Sequence, residues 1–122
     1  MILADTSVWL GHLRQTDAHL QRCLLNDRIL IHPFVLGEIA CGNLHARAEL
    51  LSDLGELPCA TLADHAEVLA LIEEHRLFGK GIGWIDAHLL ASARLSACRL
   101  WTLDGRLSEV AHRLGVGYQR VM

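Results

Sequence analysis

The chain has 122 residues, a formal net charge of −3, 52 % hydrophobic and 20 % charged residues, which predicts one compact domain with a sizeable core and excludes a disordered polymer. One lysine, Lys80, and ten arginines face fourteen acids. That balance excludes a generally basic nucleic-acid-binding surface, so any nucleic-acid contact is expected to be local.

No apolar run approaches the roughly 18 to 20 residues of a membrane span. The start, Met1-Ile2-Leu3-Ala4-Asp5, lacks the basic residues and long apolar stretch of a secretion signal. The expectation is a cytoplasmic protein without membrane association. Cys23, Cys41, Cys59 and Cys98 show no C-x-x-C spacing and are expected to be free, buried thiols.

Along the chain, Ile2 to Ala4 is an apolar run without polar alternation, the pattern of a strand buried on both faces of a parallel sheet. Thr6 and Ser7 are placed to cap a helix carrying Val8, Trp9 and Leu13, and a second helix is expected from Asp17 to Leu25. Arg28 to His32 reads as a second strand. Pro33 then opens a helix reaching about Gly42, because proline suits the first helical position. Ala46 to Leu54 is a further helix. Thr61-Leu62-Ala63-Asp64 fits a capping box ahead of a helix ending near Leu77. Beyond the glycines of Gly79 to Gly83, Trp84 to Ala97 is apolar nearly all round, which predicts a deeply packed helix. Arg99 to Leu103 returns as a strand, Gly105 to Leu114 as a helix stopped by Gly115, and Gly117 to Val121 as a last short strand.

Strands separated by helices imply right-handed crossovers, hence an α/β fold with a parallel sheet flanked by helices on both faces. Function in such sheets gathers beyond the carboxyl ends of the strands. Asp5 and Asp104 fall on those ends. Glu38 and Asp86 are likewise embedded in apolar sequence, and both are expected to point inward near the starts of their helices. Each acid alone has a local explanation. Asp5 and Asp104 suit helix N-caps, Glu38 a pairing with arginine, and Asp86 the positive end of a helix dipole. Jointly these explanations weaken, because carboxylates converging on one spot repel unless a divalent cation holds them. Hard oxygen ligands select Mg²⁺ or Mn²⁺. Such an ion activates water and neutralises charge on a phosphodiester, so hydrolysis of that bond is the expected reaction.

Four segments carry a family resemblance: Asp5-Thr6-Ser7-Val8-Trp9-Leu10, Gly37-Glu38-Ile39, Ile85-Asp86-Ala87-His88-Leu89-Leu90-Ala91, and Trp101-Thr102-Leu103-Asp104. In order and spacing, the chain from residue 1 to about 120 resembles a PIN-domain ribonuclease of the VapC toxin type. The resemblance implies a single PIN domain over residues 1–122 acting as a metal-dependent endoribonuclease, inhibited by a cognate VapB-like antitoxin and forming a homodimer. It also implies Asp5 and Asp86 as direct Mg²⁺ (or Mn²⁺) ligands, with Glu38 and Asp104 completing the catalytic site and Thr6, Ser7 and Thr102 as polar supports. Many members carry a further acid soon after the last of these, whereas Gly105, Arg106, Leu107 and Ser108 follow Asp104 here. The other readings are a catalytically silent PIN-like binding module and a receiver-like phosphotransfer domain. A receiver wants paired N-terminal acids and a late strand-end lysine, which Lys80 in a glycine loop does not supply. A haloacid-dehalogenase-type phosphatase needs a D-x-D pair that Asp5-Thr6-Ser7 lacks.

The remaining candidates read more plainly. The eight histidines have no metal-binding spacing, and Trp9, Trp84 and Trp101 are expected to serve packing more than base stacking. Gly79 to Gly83 reads as a flexible connector. Arg14, Arg94 and Arg106 are the arginines expected to reach RNA.

Overall fold

The computed structural model describes residues 1–120. Ten elements follow in order: β1 (Ile2–Ala4), α1 (Thr6–Arg14), α2 (Ala18–Leu25), β2 (Ile29–Leu30), α3 (Pro33–Ala40), α4 (Arg47–Gly55), α5 (His65–His75), α6 (Trp84–Leu95), β3 (Arg99–Trp101) and α7 (Gly105–Arg113). The strands form one parallel sheet in the order β2-β1-β3, with β1 central. It is an α/β domain, a parallel sheet flanked by helices. Ile2 pairs with Ile29 and Arg99, and Ala4 pairs with Trp101. Single parallel bridges, Ile31 to Cys59 and Leu100 to Gly117, extend the sheet on either side.

All of β1 is buried, which explains its lack of polar alternation. In α6 the seven residues from Ala87 to Ala93 are all buried. That helix packs against α5 and β3, as its all-round apolar character predicts. Ile2, Leu3, Leu20, Ile29, Val35, Ile39, Val68, Leu89, Leu90, Leu100 and Leu107 form the centre of the core.

Several boundaries differ from those the sequence suggests. The capping box before α5 is shifted by three residues. Asp64 is the cap, its carboxylate accepting from the Glu67 N–H at 2.8 Å while Glu67 accepts from the Asp64 N–H at 3.0 Å. Thr61 instead donates its backbone N–H to Ser96 Oγ. Strand β3 ends at Trp101 because Thr102 and Asp104 turn the chain into the cap of α7. The expected last strand is reduced to the bridge at Gly117, and its end at Val121 lies outside the described residues. Cys23 and Cys98 are buried free thiols, but Cys41, at the C-cap of α3, and Cys59, bridged to Ile31 at the sheet edge, are exposed. No helix among the described residues is long and apolar enough to cross a membrane.

Candidate active site

The sheet register sets the first acid. Ala4 pairs with Trp101, and the next residue, Asp5, donates its N–H to the Trp101 carbonyl at 2.9 Å. Asp5 therefore stands at the carboxyl edge between the ends of β1 and β3. Its carboxylate is 6 % exposed and fully engaged. Oδ1 accepts from Ser7 Oγ at 2.5 Å and the Val8 N–H at 3.3 Å, and Oδ2 accepts from Thr102 Oγ1 at 2.5 Å. Thr102 Oγ1 also accepts the Asp104 N–H at 3.0 Å. Ser7 Oγ in turn accepts the Leu103 N–H at 3.0 Å. Two strand ends 97 residues apart are thus locked together through hydroxyl groups.

Asp104 caps α7, with Oδ1 accepting the N–H groups of Arg106 at 2.9 Å and Leu107 at 3.2 Å. Capping occupies one oxygen and leaves Oδ2 without a protein hydrogen bond among the described residues. The local cap and a place in an acid site are therefore compatible for both Asp5 and Asp104.

Glu38 departs from the expectation. It is exposed rather than interior, and it is the sixth residue of α3 rather than near its start. The helix buries Val35 and Ile39 instead, which rotates Glu38 outward. Its partner is a hydroxyl and not an arginine, Thr6 Oγ1 donating to Oε1 at 2.7 Å.

Asp86, in the first turn of α6, is half-buried, and its Oδ2 accepts the Gly83 N–H at 3.1 Å. Burial pushes its carboxyl above the usual range, and the charges of Asp104, Asp5 and Glu38 push further, against the lowering effect of the Gly83 hydrogen bond. The four acids, drawn from α6, the ends of β1 and β3, and α3, therefore share one electrostatic neighbourhood. Among the described residues the ion pairs are His75 with Glu74 and Arg120 with Asp17, so no cation neutralises these four carboxylates. Nor, among those residues, do three His, Cys, Asp or Glu side chains converge into a ready cation cage. A hard-oxygen donor set with uncompensated negative charge still fits Mg²⁺, which typically takes one or two protein carboxylates and keeps its other positions for water.

Of the three arginines expected near RNA, only Arg106 lies beside this site. Arg14 ends α1, about 13 Å of helix from Asp5. Arg94 is two turns beyond Asp86 and bonds His75 Nε2 at 2.8 Å. Arg106 lies against Gly81 of the glycine loop, and with Lys80, Glu109, Val110 and Arg113 it lines a cleft of about 100 Å³.

Sequence reasoning passed over a ring cluster on the β2 side of the acids. Trp9 and Trp101 are buried, but Trp84 is 39 % exposed, and its ring meets His65 and His88 at centroid distances of 5.0 and 4.7 Å. Phe34 meets His88 at 4.8 Å and His32 at 5.1 Å. The available signals were Trp84 and His88 four residues apart on one helix, and His32 and Phe34 flanking Pro33.

A parallel sheet of order β2-β1-β3 with acids at its carboxyl edge is an α/β domain with its functional crevice beyond the strand ends. The PIN-domain family profile matches residues 2–113, and the chain belongs to that family. It is 44 % identical over 120 residues to Ribonuclease VapC32 in each of two strains of Mycobacterium tuberculosis, covering 95 % of this chain and 94 % of the relative. The crystal structure of PAE2754 from Pyrobaculum aerophilum shares the fold, with a TM-score of 0.60 at 19 % identity over 88 % of this chain and 77 % of that one.

Proposed function

We propose that this protein is a Mg²⁺- or Mn²⁺-dependent endoribonuclease that hydrolyses RNA phosphodiester bonds, the toxin of a VapBC-type pair. The observation that carries the reading is the placement of Asp86, half-buried in the first turn of α6 within the field of Asp5, Glu38 and Asp104 and, among the described residues, with no cation beside it. Such charge is costly unless an ion or a proton offsets it. The relative named a ribonuclease, at 44 % identity over nearly the whole chain, supports the same chemistry.

Asp5 and Asp86 are the residues that would hold the metal, and Glu38 and Asp104 complete the acidic site. An ion held there would supply an acidified water and offset charge on the phosphodiester. Ser7 and Thr102 fix the rotamer of Asp5, so its oxygens need no rearrangement. Thr6 fixes Glu38 through Oε1 and leaves Oε2 to take the proton from the attacking water. Asp104, held by its cap, orients water through Oδ2. Until the charge is offset the site repels RNA. Arg106, two residues after Asp104, and Lys80, which lines the same cleft as Arg106, hold the flanking phosphates.

The protein acts in the cytoplasm as one domain spanning residues 1–122 and as a homodimer. A VapB-like antitoxin restrains it by placing a basic side chain among the four acids, whose charge then replaces that of the cation.

Incubating the protein with single-stranded RNA in Mg²⁺ or Mn²⁺, and again in chelator, tests the reading. Cleavage is expected only with metal, and it should be lost in Asp5→Asn and Asp86→Asn. Metal-independent cleavage surviving in both variants would overturn the mechanism, and no cleavage by the parent would leave a binding module.

A further inference from the structure

We infer that Trp84, Phe34 and His88 form a subsite that takes one unpaired nucleobase of the RNA strand, next to the bond cut at the acids. The inference rests on the ribonuclease reading and deepens it.

The cluster is built across three elements. His88 lies at its centre, 4.8 Å from the Phe34 ring at 65° and 4.7 Å from the Trp84 ring at 83°. His65, the first residue of α5, packs on the other side of Trp84 at 5.0 Å. Trp84 and Phe34 are each 39 % exposed, although a tryptophan or phenylalanine required only for the core is normally covered. His88, edge-on, and His65, tilted by 55°, hold the indole in place, which lowers the ordering cost of stacking a ligand on its open face.

The position of Phe34 beside a site acid favours a nucleobase. Phe34 precedes Glu38 by one turn of α3, so the two share a face of that helix, whereas Trp84, two residues before Asp86, turns away from that carboxyl and joins the cluster through His88 one turn on. Side chains one turn apart are about 5–6 Å apart, the scale on which a base hangs from its own phosphate. Sequence-tolerant stacking on aromatic faces is how proteins hold unstacked bases of single strands.

Beneath the rings lies a polar atom without a hydrogen-bond partner among the described residues. His32 is 2 % exposed, and its Nδ1 accepts the Phe34 N–H at 3.0 Å, so the hydrogen resides on Nε2. That Nε2 is buried and without a hydrogen-bond partner among the described residues. A buried donor left unpaired is uncommon in native structures and calls for an explanation. His32 lies 6.5 Å, ring to ring, from His88, itself only 7 % exposed, so this donor sits one layer below the open faces of Trp84 and Phe34. The imidazoles thus supply hydrogen-bonding edges beneath a stacking surface.

The test uses short unstructured RNAs carrying 2-aminopurine at each position in turn, bound by Asp86→Asn protein so that binding is read without turnover. Quenching confined to one position is expected. It should weaken about tenfold on adding Trp84→Ala, the loss typical of one stacked base, and return with Trp84→Phe. In the protein with its acids intact, Trp84→Ala and Phe34→Ala should raise KM more than they lower kcat. If the parent cleaves RNA while both variants keep its KM and no position is quenched, the subsite is overturned and the ribonuclease reading survives. If Trp84→Ala instead shifts the monomer–dimer equilibrium with quenching unchanged, the face serves protein association and the inference is overturned. If the parent cleaves no RNA, the underlying reading fails and this inference with it.

Discussion

Thr102 donates its hydroxyl to Asp5 Oδ2 at 2.5 Å and accepts the Asp104 N–H on the same oxygen at 3.0 Å. One hydroxyl therefore links the last residue of the β1 edge to the cap of α7. Both neighbours are proposed site acids, so the group acts on catalysis through position rather than through contact with substrate.

Thr102→Val keeps the shape and removes both bonds. The stability loss should be about 1–3 kcal/mol, the cost of a part-buried hydrogen-bonding group left without its partner. Cleavage should fall with an increased metal requirement, and Thr102→Ser should restore it. Thermal melts and metal titrations of the three proteins check this. Unchanged metal dependence in Thr102→Val would show that Asp5 needs no such support.

Asp86 gives a pH signature of opposite sign to the usual carboxylate. Its raised affinity for a proton comes first from burial and then from the three acids. The folded state therefore holds this proton more tightly than the unfolded state, whose value is near 3.8. The contribution is most favourable below 3.8 and is lost as pH rises through the folded value. In chelator at neutral pH, Asp86→Asn should melt above the parent, and the gap should close as pH is lowered through that interval. Adding Mg²⁺ or Mn²⁺ should raise the parent's Tm and leave the variant's nearly unchanged. Melting curves between pH 7 and pH 4, with and without metal, measure both effects.

The acids at the strand ends were legible because β1 is too apolar to be anything but a buried parallel strand, and Asp5 ends it. Asp86 was legible as an acid on the best-buried helix. The facing of Glu38 was not, because its apolar neighbour Phe34, one turn earlier, is itself half-exposed and misrepresents which side of α3 is inside. The shifted cap of α5 had the same origin. Thr61-x-x-Asp64 and Asp64-x-x-Glu67 both satisfy the pattern, and only the tertiary bond from the Thr61 N–H to Ser96 decides between them. The ring cluster joins His32, His65 and His88 from three elements, and no local spacing encodes that meeting.

His32 supplies the acid-side limit of stability. Burial, followed by the nearby charge of His88, pushes its imidazole down to about 4 from 6.5. The unfolded chain takes up a proton that the folded protein refuses, so the contribution is complete above 6.5 and is lost as pH falls toward 4. His88 is lowered by burial and His65, and it adds to the same trend. The slope for one such group is on the order of 1 kcal/mol per pH unit. His32→Asn keeps a side-chain acceptor for the Phe34 N–H and removes the titration. Urea denaturation at intervals from pH 7 to pH 4 should give a flatter profile for the variant, and parallel profiles would show that His32 does not titrate between those limits.

Gly81 and Gly79 form an internal comparison within one loop. Both have positive φ, +78° and +69°, so alanine at either position costs about 1 kcal/mol or more of backbone strain. Around Gly79 no atom of the described residues lies within 4 Å of an added Cβ, whereas at Gly81 that Cβ meets Arg106 Cδ and a guanidinium nitrogen at 2.6 Å. Gly81→Ala must therefore also displace Arg106, the arginine beside the acids. Gly79→Ala should reduce stability with little change in RNA affinity, whereas Gly81→Ala should reduce both. In the Arg106→Ala background the affinity difference between the two glycine variants should vanish, because no side chain remains to be moved. A double-mutant cycle in stability and in RNA binding measures that coupling, and two additive substitutions would show that the loop and Arg106 act independently.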